Sequence, residues 1–154
     1  MKSKIIKLIG AIILMGIGYA TYIWFMPHRN VQAVTAFETI SATDLVHAFV
    51  TNKEKANATY LDSDEGESKV LIVTGEVAKI SKDQLGQHVV LLKNKTDKMG
   101  VSCSFTTETN DQVSNIKIGD TISIKGVIRS GAEYDADLDL IENVIVEKSA
   151  MLKK

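Results

Sequence analysis

The residues of this 154-residue chain with the most chemistry to offer are three histidines, one cysteine and one dense run of carboxylates. His28, His47 and His88 are far apart, and no His-x-His or His-x-x-x-His pair occurs. A metal site usually draws two ligands from one turn of helix or strand, so this spacing favours ordinary surface histidines. Cys103 is alone, which rules out an internal disulfide and a cysteine-based zinc site. It alternates with Val101 and Phe105, as a small apolar core residue would; a disulfide to another chain or a reactive thiol are the other readings. The run Glu133-Tyr134-Asp135-Ala136-Asp137-Leu138-Asp139 could place alternate carboxylates around Ca²⁺. Counted from Asp135, however, Leu140 stands where an EF-hand loop needs glycine and Val146 where it needs glutamate. A solvated edge loop is the better reading. There is no Gly-x-Ser-x-Gly elbow, phosphate-binding glycine loop or dinucleotide fingerprint. No catalytic residues, metal or cofactor are expected.

The elements that would carry these residues change period along the chain. Ser41 with Asp44 resembles a capping box, with Asp in place of Glu or Gln. Leu45, Val46, Phe49 and Val50 then fall on one side of a helix running to about Asn57, with a break near Lys53. A polar turn at 62–68 follows. From Lys69 to Ile80 the period becomes two, with Gly75 at the centre where a strand can bend. Further strands are predicted at His88–Lys93, Val101–Phe105, Thr121–Arg129 and Leu138–Glu147, with a short helix at Asp111–Ile116 and a loop at Ser130–Ala136. A long glycine-bent first strand, five strands in all, and a helix between the third and fourth is the order of an OB-type barrel. The fold class expected is therefore mainly β.

Ahead of this domain, Leu8–Met26 carries no charge. Nineteen residues of helix span about 28 Å, close to the apolar thickness of a bilayer. Tyr19, Tyr22, Trp24 and Phe25 crowd one end, where amphipathic rings prefer the interface. Lys2, Lys4 and Lys7 precede the span and only Arg29 closely follows, so a single pass through the cytoplasmic membrane would leave the N-terminus in the cytoplasm. The competing reading is a cleaved signal peptide, since Val31-Gln32-Ala33 and Val34-Thr35-Ala36 offer small residues at suitable positions. The span is longer than the usual apolar region of such peptides, which favours an anchor. The domain plan is then an anchor or signal at 1–26, a tether at 27–40, a helix and turn at 41–68, and a barrel at 69–148.

Several short motifs stand in a set order along the chain. They are Pro27-His28-Arg29, Leu45 and Phe49, then Asn52, Glu54, Ala56, Asn57 and Tyr60. Val73-x-Gly75-x-Val77, Val101-x-Cys103-x-Phe105, Gly119-Asp120 and Ile124-x-Gly126 complete the set. Their order resembles the tRNA_anti-like family of OB-fold envelope proteins, a resemblance that covers residues 27–147 and implies an OB-fold following an anchor or signal. It carries over no catalytic residues.

Charge bears on the partner. Beyond residue 30 there are 14 basic and 19 acidic residues, a net of −5. Single-strand binders pair basic grooves with stacking aromatics, yet residues 66–148 contain only Phe105 and Tyr134 as aromatics. The expectation is a non-enzymatic binding or assembly module, exposed outside the cytoplasm to an envelope protein, peptide or glycan. A single-stranded nucleic-acid-binding domain is the alternative. OB-folds bind across the barrel face and its flanking loops, which nominates Lys82, Gln84, Lys95, Arg129 and Tyr134 as ligand-binding residues.

Overall fold

The computed structural model describes residues 12–22, 30–61, 68–135, 137 and 139–152. The chain divides into two units, residues 1–30 and 31–154. In the first, residues 12–22 are helical with exposed side chains. Among the described residues no helix is long and apolar enough to cross a membrane. The rest of the expected span, Pro27-His28-Arg29 and the turn at 62–67 lie outside the described residues.

The second unit is built on one long strand, β2 (Val70–Lys82), which alternation and β-branched residues favour. Its first half pairs with β5 (Thr121–Ser130), from Val70↔Val127 to Glu76↔Thr121. Its second half pairs with β3 (His88–Leu92), from Val77↔Leu92 to Lys82↔His88. The exchange of partners falls just past Gly75. A Cβ there would lie 3.0 Å from that of Ala42 and 3.1 Å from that of Leu92, so the glycine admits both neighbours. β3 pairs with β4 (Val101–Phe105), β4 lies parallel to β8 (Val144–Met151), and β8 returns to β5. These pairings close a five-stranded barrel of OB-like topology, as expected. Leu71, Val73, Val77, Val90, Leu92, Val101, Phe105, Ile124, Ile128, Val144 and Val146 fill its interior.

Helical segments cover both ends. Ser41 caps α1 (Ala42–Thr51): its Oγ accepts from the Asp44 amide at 3.0 Å and donates to the Asp44 carboxylate at 2.6 Å. Asp is too short to complete the usual capping box, and it bonds the capping hydroxyl instead. Asn52 breaks the helix and caps α2 (Lys53–Tyr60), accepting from the Lys55 amide at 2.9 Å. Leu45, Val46, Phe49, Ala56 and Tyr60 join the barrel core. A 3-10 helix at Asn110–Asn115 contributes Val113 at the other end.

Three expectations need correction. The segment read as a tether is part of the fold from Val31 onward. Val31 and Val34 pack on Val70 and Val127, the Gln32 side chain donates to the Lys148 carbonyl at 2.8 Å, and β1 (Glu38–Ser41) pairs parallel with β2. The last strand is not continuous from Leu138. Glu133–Asp135 (β6) and Leu140–Glu142 (β7) form a separate two-stranded sheet, and Asn143 interrupts the alternation by accepting the Gly100 amide at 2.9 Å. The barrel also runs past residue 148, because Lys148 turns in a left-handed conformation (φ 51°) and the chain resumes pairing to Met151. Opposite that bulge, a Cβ on Gly126 would come within 2.5 Å of Val146 and 2.9 Å of the Glu147 carbonyl.

Candidate functional site

Side chains that point inward from β3, β4 and β8 are buried, so ligand contact on these strands falls to the outward ones. Register lines these up in rows. Lys79 stands opposite Leu91, Leu91 opposite Ser102, and Ser102 opposite Ile145. Beside it, Ser81 stands opposite Val89 and Val89 opposite Ser104. The result is a shallow strip of small and aliphatic groups with one lysine and no aromatic ring. Lys79 reaches this face only because a bulge between Val77 and Lys79 re-phases β2. Up to Val77 the odd residues point inward, and beyond the bulge Ile80 does. Simple alternation assigns Lys79 to the wrong side, which is why the sequence missed it.

The nominated residues divide between the two ends of this strip. Lys82 ends β2 and Gln84 lies in the following turn, where the Asp83 carboxylate accepts the Leu85 and Gln87 amides at 2.8 and 2.9 Å. Lys95 lies in the loop after β3, beyond the opposite end of a five-residue strand that itself spans roughly 14 Å. Arg129 and Tyr134 belong to that second end. Arg129 Nε pairs with Glu147 at 3.0 Å, and Tyr134 carries the Lys98 ammonium 5.5 Å from its ring centroid. The five residues are thus not one cluster. They bracket the strip from both ends.

Other candidates from the sequence scatter. Cys103 is fully buried, and burial pushes its thiol up to about 12. The Tyr60 hydroxyl is also raised, first by burial and then by Glu38, to which it donates at 3.2 Å. Both groups are held in their neutral forms as parts of the interior. His47 is exposed on α1, while His88 Nδ1 lies 2.8 Å from Asn110 Oδ1. That oxygen also accepts the His88 amide at 2.7 Å, so Nδ1 is the donor in this contact. His28 lies outside the described residues. Among the described residues no three His, Cys, Asp or Glu side chains are gathered to hold a metal. Of the acidic run, Glu133–Asp135 is β6, which pairs with β7; Tyr134 donates to Asp139 at 3.1 Å and the Asp137 amide to Asp135 at 2.9 Å. A separate groove of about 850 Å³ lies where β5 meets the end of β8, lined by Thr74, Gln112, Ile122, Ser123, Met151 and Leu152.

The tRNA_anti-like family model matches residues 1–137. The chain belongs to the tRNA_anti-like family. The match ends before β8, so the strand that closes the barrel lies beyond it. Several of the residues that carried the resemblance are architectural in this tRNA_anti-like protein: Leu45, Phe49, Ala56 and Tyr60 are plug residues, and Asn52 is a helix cap. Gly119 (φ 93°) and Asp120, which accepts the Lys117 amide at 2.8 Å, set the turn into β5. None of these faces the outer strip. Among solved structures, a lipoprotein from Klebsiella pneumoniae to which nucleic-acid binding is ascribed is similar, with a TM-score of 0.54 and 16% identity. The similarity covers 74% of this chain and 91% of that one, and it shows a shared fold. No curated protein matches the sequence.

Proposed function

We propose that this tRNA_anti-like protein is a non-catalytic binding or assembly module. Residues 8–26 hold it at the outer face of the cytoplasmic membrane, with its N-terminus in the cytoplasm. The observation that carries the reading is the filled barrel. Apolar side chains occupy its interior and helical segments cover both ends, so recognition falls to the outer surface. The uncharged span and the lysines before it support the anchor and its orientation. The partner class is an envelope protein, peptide or glycan.

Affinity capture from membranes with the tagged full chain tests this. A partner retained by the wild type and lost when Leu91 and Ile145 are both changed to Glu supports the module. Turnover of a small molecule by the purified chain would overturn it. Recovery of the intact chain, Met1 included, in the carbonate-washed membrane pellet supports the anchor.

A second reading, single-stranded nucleic-acid binding, draws on the Klebsiella pneumoniae lipoprotein and on the Tyr134 ring with Lys98 beside it. Bases stack on such rings and phosphates meet such lysines. The acidic balance of the domain opposes it. Salt-sensitive retention of oligodeoxythymidine would support this reading, and no retention at about 20 mM salt would dismiss it.

A further inference from the structure

The β6–β7 hairpin is a two-stranded sheet that pairs with no other strand among the described residues. All three residues of β7 are exposed. Because directly opposed residues share a face, the register sorts its side chains. Tyr134 stands opposite Ile141 on one face; Glu133 opposite Glu142, and Asp135 opposite Leu140, share the other. Tyr134 is 44% exposed and Ile141 43%, so an apolar pair is left open to water. Residues 133–142 carry five carboxylates and no lysine or arginine. Among the described residues, Lys53 pairs with Glu133 at 2.6 Å and Lys98 lies over Tyr134. The hairpin thus keeps an excess of negative charge.

We propose that the open edge of β7 accepts an extended segment of a partner protein as a third strand, and that this segment alternates basic and apolar residues. The inference deepens the module reading and rests on it. Strand addition supplies main-chain hydrogen bonds, and the alternating faces supply specificity. A residue opposite Ile141 would extend the apolar pair, so it is apolar. One neighbour would stand opposite Glu142, so it is basic. The other would stand opposite Leu140 with Asp135 one strand further on, so a lysine there would lay its stem on the leucine and turn its ammonium toward the carboxylate. An isolated two-strand ribbon is only marginally stable in water, and a third strand would stabilise it as well as hold the partner.

The test uses the full chain in phosphatidylcholine nanodiscs and fluorescence anisotropy of labelled eight-residue peptides. A peptide alternating lysine and valine should bind at least tenfold more tightly than one alternating glutamate and valine, or lysine and serine. Ile141→Ser and Glu142→Lys should each weaken it at least tenfold with far-UV ellipticity unchanged, while Glu108→Lys, distant in sequence and exposed, should not. Equal binding of the glutamate peptide, or full binding to Ile141→Ser, would overturn the proposal. So would a hairpin that takes oligodeoxythymidine in place of the lysine–valine peptide. If membrane capture yields a partner insensitive to Ile141→Ser, the hairpin is the wrong place and the module reading stands. If the wild type captures no partner, the module reading itself is what fails.

Discussion

Replacing Gly131 with alanine tests how the helical plug seats on the barrel. A Cβ on Gly131 would lie 2.2 Å from Phe49 Cδ1 and 2.3 Å from Cε1, against an ordinary carbon contact of about 3.5–4.0 Å. The ring has nowhere easy to go. Phe49 is 2% exposed and packs against Tyr60, with ring centroids 5.9 Å apart. Relief therefore requires α1 to move by more than an ångström. Overpacking a filled core costs about 1–3 kcal/mol, and the size of this overlap places Gly131→Ala near the upper end. Phe49→Leu alone should cost about 1–2 kcal/mol, less than full truncation to alanine. In the double variant the smaller leucine makes room for the new methyl group, so the two costs should fall short of their sum by about 1 kcal/mol or more. Urea titration of all four proteins, followed by far-UV ellipticity, measures each value. A Gly131→Ala change below about 0.5 kcal/mol, or additivity in the cycle, would refute the reasoning.

Alkaline pH should weaken the fold. The Cys103 thiol is pushed up to about 12 from an ordinary 9.0, so its contribution is complete below about pH 9 and is lost as pH rises toward 12. Tyr60 acts in the same direction, and Cys103→Val should show a smaller fall in urea midpoint between pH 8 and 11. Ser41→Ala and Asn52→Ala each remove a helix cap and should each cost about 1 kcal/mol in the same titration. Gln32→Ala removes the bond to the Lys148 carbonyl. It should cost about 1 kcal/mol and speed protease cleavage within residues 31–37.

The elements legible in the sequence are those set by local pattern. Val101–Phe105 alternates without interruption and is a strand with those bounds, and the break predicted near Lys53 falls at Asn52. Elements set by distant partners were not legible. Glu38–Ser41 has no period of its own and becomes a strand because the first half of β2 has an edge that β3 does not occupy. Leu138–Glu147 alternates well enough to read as one strand, but the Asn143 side chain is taken by the loop at Gly100 and the run splits between two sheets. The site suffered in the same way. Lys82 and Lys95 are 13 residues apart and look close in a hairpin, yet they lie beyond opposite ends of β3. Lys79 became visible only once the bulge was.

If residues 1–26 are the anchor or signal of the proposed reading, the packing of residues 31–37 against β2 and β5 would set a clock on their removal. Both candidate cleavage points, after Ala33 and after Ala36, lie in chain that lies against the barrel once it has folded. A peptidase needs that stretch extended and free, so it must act before Val31 and Val34 settle on Val70 and Val127. Early cutting after Ala33 would strip off Val31 and Gln32, and after Ala36 Val34 as well, and would leave a barrel with a wetted apolar spot. Prompt folding would shield the same bonds and keep the chain whole. On the proposed anchored reading, release from the membrane would be a race between two rates, and residues 31–37 are what folding has to win with.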